Sequence, residues 1–473
     1  MLKHASMAFF QRSRRSATGF GVLLFSLIAV GFFGGAHWEL KERVGWHSAA
    51  VQPESPRFNV GLTERAGHHD EVLGALLYSL HTMPNVRKVT VYRNNFRYKF
   101  EEIISPFYRS PTEPAQVMLD SLLDLNHPDP LDIIILSTGE RTIEAIMPIL
   151  IEAFDARPPD HKFVVLCVVH DAGRLHELDF IAPLAARGAL RYVTLNQAAQ
   201  RTMNEGIFAA ATRHPEAHFD RVPIYAFAPI FPVQGLRPHK KRILSNVVVQ
   251  GNMDQGRRDY KLLFHDLMNE LSSSVFITLL LVSTYIHAQF LFTENAEFWG
   301  YKPLGEGING SYVPLSPSFG LEPFLVHLAG GTVRDLVIPQ ELSNVVQVHQ
   351  SLPYPEYFAL MNNMDLVLPS FAKEGYYKTS ASSSVAAAVI AEVPILSSRR
   401  LLYCYQYLDE RNAIILPSGT SEIEAVRLLR TGVMPDTGKL FEWEVIYNQT
   451  NMEHMRQEVY ESNAKTLTQA FSS

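Results

Sequence analysis

At 473 residues, 47% hydrophobic and 19% charged, the chain is too long for one average core and too apolar for disorder, so two globular domains are expected. Its 42 basic and 48 acidic residues leave a net charge of −6 with no basic stripe, which gives no sign of a nucleic-acid partner. Two cysteines, Cys167 and Cys404, are too few for a disulfide framework or a cysteine-based zinc site.

The amino terminus reads as a membrane signal. Lys3, Arg12, Arg14 and Arg15 precede a charge-free stretch from Ser16 to His37, long enough for one crossing, which takes roughly 20 residues. The expectation is a cytosolic tail (1–15), a signal anchor (16–38) and a polar stem (39–56). That is a single-pass type II membrane protein of the Golgi or ER with its catalytic part in the lumen. Gly34, Gly35 and Ala36 would also suit cleavage of a signal peptide, but the apolar run exceeds the ~7–15 residues of a signal core. Two glycosylation triplets, at Asn309 and Asn448, are consistent with a lumenal location.

From Phe58 onward, strands and helices alternate. Phe58–Leu62 reads as a strand, and Asp70–His81 as a helix with Val72, Leu73, Leu76, Leu77 and Leu80 on one face. Lys88–Tyr92, Asp132–Leu136, Phe163–Val169 and Arg191–Leu195 are further strands, continuous and apolar, as in a parallel sheet covered on both faces. Cys167 lies inside one of these runs and reads as core. The proline-rich stretch Pro223–Pro238 is expected to be a linker.

A second alternation follows. It runs through a strand at Asn246–Gln250, a helix at Asp259–Leu271, strands at Phe324–Leu328 and Asn344–Val348, and a helix at Pro355–Asn363. The uncharged stretch Val275–Phe292 interrupts it. Its polar Thr278, Ser283, Thr284 and Gln289 favour a buried strand at Phe276–Val282 with an insertion after it over a second membrane crossing. Ile414–Leu416, a helix capped by Ser421, and a last helix over about 442–469 complete the chain.

Met364 to Ser398 is the most informative segment. Leu366–Leu368 is a short buried strand stopped by Pro369; a polar, aromatic loop follows; then Ser382, Ser383 and Ser384 open a helix of small residues that ends before Pro394. Serines are good helix caps, but three hydroxyls at a helix start with Lys378 upstream also make a site for a phosphate or diphosphate.

Two Rossmann-like domains facing across a cleft, with SLPYPEYFALMNNMDLVLPSF followed by VAAAVIAEVPILSS in the second, resemble the GT-B glycosyltransferases. The segment VVVQGNMDQGRRDY also resembles fungal glycosyltransferase-like proteins of unknown substrate. The resemblance implies an acceptor domain at 57–235, a nucleotide-sugar domain at 236–441 and a carboxyl-terminal segment, 442–473, that can cross back. It implies a nucleotide-sugar donor as substrate, no cofactor, and a glycan, protein or lipid hydroxyl as acceptor. Donor-binding candidates by the same resemblance are Gly251, Arg257, Arg258, Glu374, Lys378 and Ser382–Ser384; alternatively, an arginine could merely pair with Asp254 or Asp259.

The pair of glutamates seven residues apart that many retaining members carry is missing: Glu374 is present, and Ser382 stands where the second would fall. Inverting transfer needs a base for the acceptor hydroxyl. GLTERAGHHDEV brings His68, His69 and Asp70 to the end of the first strand, so His69 is the candidate base, with Asp70 or Glu64 as its partner. Polar residues there could equally be a helix cap. No metal is expected, since adjacent histidines do not readily share an ion and no Asp-x-Asp occurs. Gly305–Gly310 fits a dinucleotide-binding pattern without its flanking strand and helix. A binding protein that keeps the fold without catalysis, and a two-span membrane protein with no shared cleft, are the alternative readings.

Overall fold

In the computed structural model, the described residues are 57–473, apart from 65–66, 68, 175–177, 240–241, 274–276, 280–289, 293–294, 305–310 and 317–321. Runs rich in branched aliphatics make the strands of the first half, charge-free at Ile133–Leu136 and Val164–Val169. They are β1 (Phe58–Thr63), β2 (Val86–Tyr92), β3 (Ile133–Leu136), β4 (Val164–Val169), β5 (Leu190–Thr194) and β6 (Ile224–Ala226). All pair in parallel, in the order β2-β1-β3-β4-β5-β6. Every residue of β3 is buried, as a strand covered on both faces requires. The helices α1 (Asp70–Thr82), α2 (Gly139–Ala156) and α3 (Gln197–Arg213) connect them. Strand order reverses between β1 and β3, and ligands of open α/β sheets bind outside the carboxyl ends at such a switch.

The second half repeats the plan with β7 (Asn246–Gln250), β8 (Leu325–Gly330), β9 (Val346–Gln350), β10 (Leu366–Val367), β11 (Ile395–Ser397) and β12 (Ala413–Ile415). The order is β9-β8-β7-β10-β11-β12, again all parallel, so the switch lies between β7 and β10. Helices α4 (Tyr260–Ser272), α5 (Tyr354–Asn362), α6 (Ser383–Ile390) and α7 (Glu422–Arg430) cover it. In α6, Val385 to Ile390 are all buried, because alanines let the helix lie against the sheet. Both halves belong to one compact unit, Arg57–Ser473.

Three expectations need correction. Ile224–Ala226, inside the supposed linker, is the edge strand β6, paired with β5 through Tyr192–Thr194. Its flanking prolines are tolerated because an edge strand has one unpaired side. The last helix is two helices, Trp443–Ile446 and α8 (Gln449–Ser472). The strand expected at Phe276–Val282 is only Ile277–Leu279, paired antiparallel with Phe290–Phe292 outside both large sheets.

Asn295 Nδ2 donates to Glu270 O at 2.6 Å and to Ser273 Oγ at 2.8 Å, so the chain re-enters the fold where it left it. A single membrane crossing would separate those ends by about 30 Å. The two-span arrangement does not fit that geometry. Among the described residues no helix is long and apolar enough to cross a membrane. The proposed tail, anchor and stem, and with them Gly305–Gly310 and Asn309, lie outside the described residues.

α8 packs on the first half. Its Phe471 meets Phe58 edge-on at 5.7 Å, and Tyr460 meets Tyr78 at 4.8 Å. Asn463 accepts from Ala228 N at 3.0 Å and donates to Ala228 O at 2.7 Å, tying the helix to the chain between the sheets.

Candidate functional site

Around the switch of the second sheet, Arg258 organises the crevice. Its side chain is buried, with the residue 3% exposed. Nε and Nη2 donate to Gln250 O at 3.1 and 2.8 Å, Nη1 to Arg257 O at 3.2 Å and Nη2 to Ser384 Oγ at 2.5 Å. The guanidinium lies 5.0 Å from the Phe371 ring and 5.3 Å from Tyr376. Every hydrogen-bond acceptor around it is neutral, and among the described residues neither Arg257 nor Arg258 forms an ion pair. A buried cation held only by neutral acceptors is costly unless an anion joins it.

Gly251 makes room for this arginine. Its φ is +127°, and a Cβ there would come within 2.7 Å of Arg258 Nη2. A Cβ on Gly330 would come within 1.8 Å of Gly251 O, so the ends of β7 and β8 tolerate no side chain between them.

The three serines have separate fates. Ser382 is the N-cap of α6 and, like Ser384, is buried. Ser384 Oγ donates to Gln250 O at 2.8 Å while accepting from Arg258. Only Ser383 is exposed, its hydroxyl 3.4 Å from Gln250 Oε1. The first N–H groups of a helix lack intrahelical partners, so the start of α6 still offers donors beside Ser383. Arg257 is exposed at the same edge.

Glu374 and Lys378 are engaged with one another instead of with the crevice. Arg400 grips the Glu374 carboxylate at 2.8 and 2.6 Å and holds it below its usual range, and Lys378 stands 3.6 Å away. Ser370, with φ +43°, is fixed by the half-buried Glu422 carboxyl, to which its N–H donates at 2.8 Å. Burial raises the pKa of that carboxyl. Glu422 sits far from the serine loop in sequence, and nothing in its surroundings there marks it.

The first half contributes its own switch. The rings of His69 and His170 meet with centroids 3.7 Å apart, tilted by 33°. His170 Nε2 lies 2.6 Å from Ser137 O, and because a carbonyl only accepts, that nitrogen carries the hydrogen. Ser137 in turn donates from N to Thr63 O at 3.0 Å, across β1 and β3. His170 follows the apolar run of β4, and that position at a strand's carboxyl end is the signal by which it could be found.

Both carboxylates expected beside His69 have other partners. Asp70 is locked to Arg93 at 2.6 Å, with both side chains 3% exposed. Glu64 is buried and accepts from Gly67 N through both oxygens, at 2.9 and 2.7 Å. Both carboxylates hold the loop in place. Glu71, one residue further, is half-buried, and loss of solvent raises its pKa from 4.5 to about 7.

The two switches face a shared junction. Ala172 N donates to Thr379 O at 2.8 Å, Asn196 Nδ2 to Ser380 O at 3.2 Å and Thr202 Oγ1 to Lys378 O at 3.0 Å. The loop before α6 thus rests on the first half next to His170. On another side Tyr354 N donates to Tyr98 O at 2.7 Å. Of the glycosylation candidates, Asn448 caps α8 by accepting from Asn451 N at 3.0 Å. Among the described residues no group of three or more metal-ligating side chains converges.

No family model and no curated protein matches the sequence. Solved structures do match the fold. The Anabaena protein HepE, in complex with UDP and glucose, aligns over 87% of this chain and 100% of its own, with a TM-score of 0.50 and 11% identity. An alpha-glucosyltransferase in complex with UDP-glucose and DNA containing an abasic site covers 86% of this chain and 94% of its own at 13% identity and TM-score 0.45. T4 phage BGT in complex with UDP and Mn2+ covers 88% and 100% at 9% identity and TM-score 0.43. At these identities the likeness is one of fold: two parallel six-stranded sheets, consistent with the GT-B arrangement.

Proposed function

We propose that the protein transfers a sugar from a nucleotide-sugar donor to a hydroxyl of a glycan, protein or lipid, with inversion and without a metal. The observation that carries this reading is Arg258, a buried guanidinium that forms no ion pair among the described residues and bears on the Glu422 carboxyl only through space, at the sheet switch and against the start of α6. A diphosphate supplies the missing charge. Its other oxygens would take the N–H groups at the head of α6, the Ser383 hydroxyl and exposed Arg257, while Ser382 and Ser384 hold the frame. UDP, the nucleotide bound in HepE, is the first candidate. The missing second glutamate leaves retaining transfer without its motif, and the missing Asp-x-Asp weakens a metal-dependent reading; both are features of the sequence. The acceptor would lie against the first half, near His69 and its neighbours. The finer resemblance to fungal transferases, the type II anchor and the Golgi or ER lumen extend the reading from the sequence alone.

Calorimetry of the full chain with UDP tests it. The wild type should bind, and R258K, which keeps the charge and loses the planar fork, should bind at least about tenfold more weakly. Equal affinity in R258K, or no binding by the wild type, would defeat the proposal. Binding without turnover of any UDP-sugar would identify a binding protein.

A further inference from the structure

Away from the crevice, two histidines face each other in the second sheet, one on β8 and one on its edge strand β9. His327 is 6% exposed and His349 is half-buried. His327 Nε2 lies 3.2 Å from Asn246 Oδ1, and an amide oxygen only accepts, so that nitrogen carries the hydrogen. In the neutral ring Nδ1 is then the acceptor. His349 Nε2 stands 3.0 Å from it and supplies the hydrogen. The rings lie 19° from parallel, with centroids 5.2 Å apart. A chain of hydrogen bonds thus runs from β9 through β8 to β7, each donating in the same direction.

This pairing tolerates a first added proton and not a second. The first goes to His327 Nδ1, while His349 moves its own hydrogen to Nδ1 and accepts through Nε2. The second puts hydrogens on both facing nitrogens and sets two cations against each other at hydrogen-bond distance. Their strand neighbours are uncharged: Val248 of β7 and Gln347 of β9 stand in register with His327, and Ala329 with His349. Among the described residues, the one titratable group that bears on His327 is His349. Loss of solvent lowers both pKa values, that of His327 to about 4.

β9 has little else to hold it. It ends the strand order and pairs with β8 alone, and Gln347, Val348 and Gln350 are exposed. Just past it, Ser351 takes a left-handed φ of +54° and donates from N to Gly330 O and from Oγ to Gly331 O, both at 2.9 Å. Ala329 O in turn accepts from Gly251 N at 2.9 Å, and Gly251 is the residue that makes room for Arg258. The end of β9 is therefore tied to the crevice through β8.

We propose that His327 and His349 form an acid-sensitive latch, which holds β9 on β8 while the pair carries at most one added proton and, on taking the second, releases β9 and loosens the Gly251 turn beside Arg258. The link to nucleotide binding rests on the nucleotide-sugar reading; the release of β9 does not. Because the unfolded chain protonates both rings near pH 6.5 and the folded chain resists, the stabilisation by the latch is complete above that pH and is lost as pH falls from 6.5 toward about 4.

Hydrogen exchange of the full chain, corrected for the intrinsic pH dependence of exchange, tests the latch at pH 7.5 and 5.0 in the wild type and in H349N. Protection of the β9 amides in the wild type should drop at least about tenfold at the lower pH. In H349N the drop should shrink to less than about threefold, because an amide can turn its oxygen toward a protonated His327. No drop in the wild type, or the same drop in H349N, overturns the proposal. UDP calorimetry on the same samples tests the link to the crevice, and comparing the two proteins cancels the titration of UDP itself. The wild type should lose at least about fivefold more affinity than H349N between the two pH values. Equal losses overturn the link. Failure of the wild type to bind UDP at pH 7.5 removes the nucleotide-sugar reading and the link with it, while the exchange result still decides the latch.

Discussion

Asp70, Glu71 and Glu64 share one short segment and one functional group, yet their surroundings give them different work. A buried arginine fixes the first, a backbone N–H occupies the last, and the second is half-buried and loses solvent. The raised pKa of Glu71 has a consequence for stability. Between pH 4.5 and about 7 the unfolded chain has lost this proton and the folded chain keeps it, so stability falls as pH rises through that window. Glutamine removes the effect. E71Q should gain on the wild type by about 2–3 kcal/mol between pH 4.5 and 7.5, read by urea denaturation. A pH-independent difference would mean that the carboxyl is solvated. At this scale the sequence was a partial guide. His69 and the arginines reach the carboxyl edges because strand ends are visible in the chain. The different surroundings of neighbouring carboxyls depend on Arg93 and on how much solvent each loses, which no spacing rule reveals.

α6 shows how an element can be legible while its side chains are not. Its start, its length and its small residues follow from Ser382, the alanines and Pro394. Three hydroxyls in a row look alike in sequence. Helical rotation turns Ser384 inward to Arg258 and Ser383 outward, and the capping role takes Ser382. The small residues are needed because the helix lies on the sheet with Ala387 wholly buried. A387L should cost about 1–3 kcal/mol, since a packed core resists added methylenes. It should also weaken UDP binding by lifting Ser383 and Ser384 from Gln250. An unchanged denaturation midpoint would show that the helix has room to spare.

Across the molecule, the two sheets stay together through α8, the chain between them and the loop before α6. Asn463 is 2% exposed and satisfies both backbone groups of Ala228. N463A would leave a buried N–H and C=O unpaired, at about 1–3 kcal/mol each. Differential scanning calorimetry should then show a lower Tm, and the two halves should melt less cooperatively. A single transition at the wild-type temperature would mean that the tie contributes nothing. The insertion at Ile277–Phe292 belongs to this scale as well. Hydropathy alone allowed a membrane crossing, and only the contact of Asn295 with Glu270 and Ser273 shows that the chain comes back to where it left.

The alternation of aliphatic runs with amphipathic helices was enough to specify two parallel-sheet halves, because burial on both faces leaves an unmistakable composition in every central strand. It was also enough to bring the serines and the paired arginines to one sheet edge. Edge strand β6 escaped, since three residues between prolines carry too little pattern. Which hydroxyl faces outward, which arginine is buried and which carboxyl loses its water were decided by tertiary contact. Those properties depend on the distance to groups from the other half of the chain, and a charge's environment is set by everything around it, whatever its place in the sequence.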